Sequence, residues 1–251
     1  MSLSNTPGFI LRTVDYGDHH VIAHILGRDT GRVSAIAYGA RSSKRRFAGA
    51  LQPLRVVEAT LKPPKTGDLY RLQQLDVTEN FPGIDERITT ITAAGYATEL
   101  TRKIWREGME ADAVFELLRD CFRRLPNCPT DRAVLRLTHQ FELGILQLCG
   151  TAFAIDGCSR CGKAPEAMDK LRFSRRGEGL ICGQCRQRHD TVGVVTDETF
   201  AMLRHLADPD QPLPGHSLDA ALAQAGRVMG NAIEQVVQKP LASREMLFEL
   251  M

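Results

Sequence analysis

Two cysteine pairs, Cys158/Cys161 and Cys182/Cys185, are each spaced C-x-x-C and lie 20 residues apart, and they constrain this chain more than any other feature. A C-x-x-C turn can aim both thiolates at one ion, and Gly162 to Ile181 is long enough for a hairpin or loop that returns the second pair to the first. The spacing predicts a tetrahedral four-thiolate site holding one structural Zn2+ per chain, within an insertion over residues 155–192. Four sulfurs fill the coordination sphere and leave no position for water or substrate. The alternative, two disulfides or four unrelated thiols, needs strained short loops and a coincidental duplication. Cys121 and Cys149 read as small core residues, and Cys128 sits in a Pro-rich loop.

The seven cysteines are odd in number. Met1 to Gly8 is polar and the apolar run from Phe9 is broken by Arg12 and Asp15, so no signal peptide is expected. No stretch approaches the roughly 18 apolar residues of a membrane span. A reducing, cytoplasmic setting is the expectation.

Net charge is only +2, but it is unevenly distributed. Arg28 to Arg71 holds ten basic residues against three acidic, and Cys158 to Asp190 holds eight against four. Two basic regions on an otherwise balanced chain suggest a polyanion that touches both. Solvated surface cations are the plainer alternative for either region taken singly. Candidate nucleic-acid-binding residues are Arg32, Arg41, Lys44, Arg45 and Arg46 in the first region and Arg172, Arg175 and Arg176 in the second. In the loop Gly39 to Ala50, cations can neutralise phosphates, while Phe47 reads as an anchor more than as a stacking ring.

Periodicity divides the chain. Phe9–Val14, Val21–Leu26, Arg32–Tyr38, Leu54–Leu61 and Tyr70–Val77 are alternating or β-branched runs joined by turn-forming residues. Alternation puts Val33, Ala35 and Ala37 on one face of the third strand and Arg32, Ser34, Ile36 and Tyr38 on the other. Five short strands fit a small closed barrel of the OB type, although strand count alone does not separate it from an SH3-like barrel.

Beyond Pro82 the period becomes helical: Asp85 to Arg106, then Val114, Leu117, Leu118, Cys121 and Leu125 on one stripe. A third helix from Asp131 turns Val134, Leu137, Phe141, Ile145 and Leu148 inward. After the cysteine segment, Thr196 can cap Asp197 to Leu206 and Ser217 a long helix through Val237, with Ser243 to Leu250 last. The fold class expected is α+β. Residues 1–80 form a five-stranded OB-fold, nucleic-acid-binding barrel, and residues 81–251 a helical domain into which the four-cysteine zinc module is inserted.

No nucleotide-binding loop, metalloprotease helix, nucleophile elbow or deaminase signature occurs, so catalytic residues are not expected. His19 and His20 read as turn residues, and His189 is superfluous beside four cysteines.

Phe9 to Asp18, Gly31 to Arg41 and Phe47 to Pro53 resemble the N-terminal region of the bacterial RecO recombination mediators. A helical region, the C-x-x-C pairs of many members, and the closing Lys239 to Glu245 follow in the same order. The resemblance implies a non-enzymatic, cytoplasmic, nucleoid-associated protein of DNA repair in the RecF pathway. It binds single- and double-stranded DNA, anneals complementary strands and, with RecR, loads RecA onto strands coated by single-strand binding protein (SSB), RecF being involved indirectly. It further implies that the acidic C-terminal tail of SSB docks on the helical region. Arg119, Arg123, Arg124, Arg132 and Arg136 are candidates, because cations beside apolar side chains suit such a tail. Two other classes stay open: an adaptor whose barrel and zinc module bind protein, and a zinc-dependent nucleic-acid hydrolase, which needs an open metal position.

Overall fold

The computed structural model describes residues 3–43, 46–47, 49–150, 153–215 and 218–250, in two compact units divided after Cys128. In the first, β1 (Ser4–Tyr16), β2 (His20–Gly27), β3 (Gly31–Ala37), β4 (Arg55–Lys62) and β5 (Leu69–Asn80) close into a barrel of order β1-β2-β3-β5-β4. β3 and β5 pair in parallel and every other pair is antiparallel. This is the OB-fold. β1 closes the barrel because it pairs with β4 through Ser4–Phe9 and with β2 through Gly8–Tyr16, with a bulge at Leu11 re-aiming the strand between its partners. Val33, Ala35 and Ala37 point inward as alternation predicts, joining Ile10, Ile25, Val57, Leu61 and Leu72.

Two helices, α1 (Ile88–Ile104) and α2 (Asp112–Arg124), belong to the barrel's unit. The change of period near residue 80 marks the end of the strands, while the compact unit runs on through α2. The reason lies in packing. Phe9 faces out of the barrel into a cluster with Phe81, Phe115 and Phe122, at ring separations of 6.2, 5.0 and 5.4 Å. α1 starts three residues later than its sequence pattern expects. A 3-10 turn at Ile84–Glu86 comes first, and Arg87 is extended at φ −128°.

The second unit holds α3 (Asp131–Leu148), α4 (Asp197–Ala207), α5 (Leu218–Val237) and α6 (Ala242–Glu249). The cysteine segment lies between α3 and α4, with a two-stranded sheet of β6 (Arg172–Ser174) and β7 (Val192–Val194). Thr196 caps α4 as expected, accepting from the Thr199 N–H at 3.2 Å, and Thr130 caps α3 in the same way. The expected cap Ser217 lies outside the described residues. Leu148, expected inward, is 39% exposed, because it lies in the last turn of α3, two residues before the left-handed Gly150.

The insertion shares a core with the helices. Ile155, Phe173, Leu180 and Val195 pack with Leu143, Met202, Leu203, Leu222 and Met229. Gly179, at φ +91°, lets this segment approach the Ala154 backbone, where a Cβ would stand 2.3 Å from its nitrogen and oxygen.

Candidate nucleic-acid interface and metal centre

The structure brings Cys158, Cys161, Cys182 and Cys185 together, with all four Sγ atoms within 4.8 Å of one another. The Sγ atoms of Cys161 and Cys182 are 3.7 Å apart. A tetrahedral ion with bonds of roughly 2.3 Å separates its sulfurs by roughly 3.8 Å, so the donor set fits a metal. Each C-x-x-C turn folds back on itself: Gly162 N–H donates to the Cys158 carbonyl at 2.8 Å, and Arg186 N–H to that of Cys182 at 3.1 Å.

Burial opposes ionisation of Cys158, but the N–H groups of Cys182, Arg160 and Cys161 outweigh it and bring the thiol down to about 6. At Cys185 the neighbouring Cys161 and Cys182 push the thiol up to about 12. Four thiols this close cannot all ionise without a cation among them. Arg160 braces the cluster from outside, donating to the Cys185 carbonyl at 2.8 Å, to both Asp190 oxygens at 2.6 and 2.8 Å, and to Glu178 at 3.2 Å. The Asp190 carboxyl is accordingly held well below the usual range.

The basic residues of the insertion divide by partner. Arg172 is clasped by both Asp169 oxygens at 2.8 and 2.7 Å. Arg175 and Arg176 are exposed. Arg175 lines a cavity of about 420 Å³ with Arg227, Gln224 and Asn231.

On the barrel, the outward face of β1, β2 and β3 gathers side chains in register. Arg12, His24 and Ser34 form one cross-strand row, with Arg32 farther along β3. Arg32 donates to the Arg102 carbonyl at 2.9 Å, which adds a cation from α1. Burial, then the charges of Arg32, Arg102 and Arg12, lower the pKa of His24. Burial, then Arg12, lower that of Arg102. Like charges converge here, with Glu99 and Glu107 as the opposing charges beside them, and a bound anion would relieve the crowding.

A second row holds Tyr16 opposite His20, with Tyr38 immediately after β3. The His20 and Tyr38 rings meet edge to face at 5.1 Å, and the Arg71 guanidinium lies 5.2 Å from the Tyr38 centroid.

Of the loop candidates, Arg41 pairs with Asp15 at 3.3 Å and Arg46 donates to the Tyr38 carbonyl at 2.8 Å. Lys44 and Arg45 lie outside the described residues. Phe47 is 3% exposed and anchors the loop in the barrel core. Sequence reasoning missed Arg12, Arg102 and the tyrosines. Alternation had put Tyr38 on the face with Arg32, which was the available signal, whereas Arg102 reaches that face only through the packing of α1.

The tail candidates separate. Arg119, Arg123 and Arg124 are on α2 in the first unit, and Arg132 and Arg136 on α3 in the second. Arg119 and Arg123 share Glu79 at 2.7 and 2.6 Å, Arg124 meets Asp120 at 3.0 Å, and Arg132 pairs with Asp219. The exposed pairs of Arg124 and Arg132 contribute only about 0–1 kcal/mol each, whereas Glu79 is partly buried between its two arginines.

Residues 1–81 match the family described as Recombination protein O N terminal, and residues 85–245 match Recombination protein O C terminal. The chain is 34% identical to the DNA repair protein RecO of Anaeromyxobacter dehalogenans strain 2CP-C, over 97% of this chain and 95% of that protein. It is 33% identical to the protein of that name from Myxococcus xanthus, over 82% of each. It is also 27% identical to that of Geobacter metallireducens, over 100% and 99%.

Proposed function

The chain belongs to the RecO family of DNA repair proteins, and on that premise we propose that it is a non-enzymatic recombination mediator. It binds single- and double-stranded DNA, anneals complementary strands and, with RecR, helps load RecA onto SSB-coated single strands. The observation that carries this reading is the convergence of Arg12, Arg32 and Arg102 around His24 on one face of an OB barrel. Cations crowded beyond their own counter-charges neutralise phosphates and release counterions on binding.

Arg41 and Arg46 extend that surface through their contacts with Asp15 and the Tyr38 carbonyl, Lys44 and Arg45 of the same loop are further candidates for phosphate contacts, and Arg175 and Arg176 offer a second surface. Two phosphate-holding surfaces leave the bases of two strands free to pair. The barrel of residues 1–80 binds DNA together with Arg102 of α1, and the arginines of α2 or α3 take the acidic SSB tail.

One Zn2+ on Cys158, Cys161, Cys182 and Cys185 supplies structure without an open coordination site, which argues against hydrolysis at this ion. Among the described residues no helix is long and apolar enough to cross a membrane, and we place the protein with the nucleoid in the cytoplasm.

Two complementary oligonucleotides, each coated with SSB, test the reading. Stoichiometric protein without nucleotide should accelerate duplex formation. No acceleration, with naked DNA also unbound near physiological salt, would overturn it in favour of a protein-binding adaptor. Neutralising Arg41, Lys44, Arg45 and Arg46 together should reduce the slope of log affinity against log salt by up to about 3 for single strands, at roughly 0.7 for each phosphate no longer neutralised. An unchanged slope removes the loop from the site.

A further inference from the structure

The cations of the barrel face account for phosphates, while three rings on that face, Tyr16, His20 and Tyr38, remain without a role. We infer that Tyr38, with His20 and Tyr16 beside it, is a stacking platform for an unpaired nucleobase. This rests on the DNA-binding reading above and specifies which form of nucleic acid the barrel prefers.

Tyr16 and His20 are direct partners across β1 and β2, so their side chains leave the sheet on the same side. The ring of Tyr38 continues that row in contact with His20, inclined at 72°. Tyr16 is 54% exposed and Tyr38 42%. Single exposed apolar residues need no explanation, but aromatic side chains in one cross-strand row on a cationic face do.

The row is held in place rather than floating. His20 Nδ1 accepts from the Gly39 N–H at 3.0 Å, which puts the ring proton of the neutral imidazole on Nε2, where it can donate to a base carbonyl. Gly39 makes this turn at φ +67°. Arg46 ties down the Tyr38 carbonyl and Arg71 lies over its ring. Flanking guanidinium groups attract phosphates and reinforce the ring by cation–π contact. The Arg12–His24–Ser34 row is four residues away along β2, about 13 Å at roughly 3.3 Å per residue, so a strand with a base on Tyr38 can run its backbone toward those cations. Every base has a π face, so the platform is tolerant of sequence. Bases inside a duplex cannot reach it.

The test compares Tyr38→Ala with Tyr38→Phe on an oligothymidylate and on a duplex of equal length, in the full chain. Tyr38→Ala should weaken single-strand binding on the order of 5- to 100-fold, the loss of one stacked base, with duplex binding and the salt slope unchanged and Tyr38→Phe close to wild type. Wild-type protein irradiated with an oligothymidylate carrying 5-iododeoxyuridine should crosslink at Tyr38, Tyr16 or His20. Unchanged single-strand affinity in Tyr38→Ala, or an equal loss on both substrates, overturns the platform while wild-type binding upholds the DNA-binding function. Wild-type protein that binds neither substrate overturns both.

Discussion

Replacing Cys158 or Cys182 with serine, or stripping the metal with a chelator, is expected to unfold residues 155–192 and to loosen the second unit with them. A structural four-thiolate ion typically contributes on the order of 10 kcal/mol to the fold that holds it. Backbone pairing within the segment is sparse, since its strands β6 and β7 are three residues each. The consequence spreads because Ile155, Phe173, Leu180 and Val195 are also part of the core built by α3, α4 and α5. Metal content should fall to zero, hydrogen exchange over 155–195 should lose its protection, and the melting temperature of the second unit should drop. A variant that loses its metal but keeps both protection and melting temperature would show the ion to be dispensable. DNA affinity of the barrel should survive, which separates this loss from that of Tyr38.

The second large effect is expected at Glu142, whose side chain is 0% exposed on α3. Its Oε2 lies 2.7 Å from His139 Nδ1, and its Oε1 accepts from Arg244 Nε at 2.8 Å. Arg244, on α6, also donates to the Gly226 carbonyl of α5 at 2.7 Å, and its guanidinium lies 4.4 Å from the Phe248 ring centroid. The Glu142–Arg244 pair thus ties three helices. α5 can come this close because residue 226 is glycine; a Cβ there would stand 2.7 Å from His139 Nε2.

Glu142→Ala should cost roughly 3–5 kcal/mol in urea unfolding, because it takes the carboxylate from the largely covered Arg244 guanidinium and from the buried His139 ring. Replacing Glu142 and Arg244 together by leucine and methionine should recover much of that loss, since no uncompensated charge is left behind. Burial by itself would raise the Glu142 pKa, but Arg244 and His139 outweigh it and hold it at about 2, against 4.5 for a free carboxyl. A depressed carboxylate contributes its full stability above pH 4.5 and loses it as the pH falls toward 2. Wild-type protein should therefore lose stability more steeply over that window than Glu142→Gln. Parallel acid profiles would refute the assignment.

Local pattern was enough for most of the elements and for the convergence of the four cysteines. A period of two marked five strands, a period near 3.6 marked the helices, Thr196 marked the cap of α4, and two C-x-x-C pairs marked four thiols that converge. Each is a property of neighbouring residues or of a repeated short spacing, so each is written in the order of the chain. Tertiary structure alone decided the rest. It packed α2 against the barrel through Phe9, and paired Arg172 with Asp169, a partner that the charge count of the basic region did not identify. It also carried Arg102 to the face of Arg12 and His24, and joined Glu142 to Arg244, 102 residues away. Pairings of this kind depend on where long-range packing sets whole elements down, and a charge or ring shows its role only when its partner across that distance is in place.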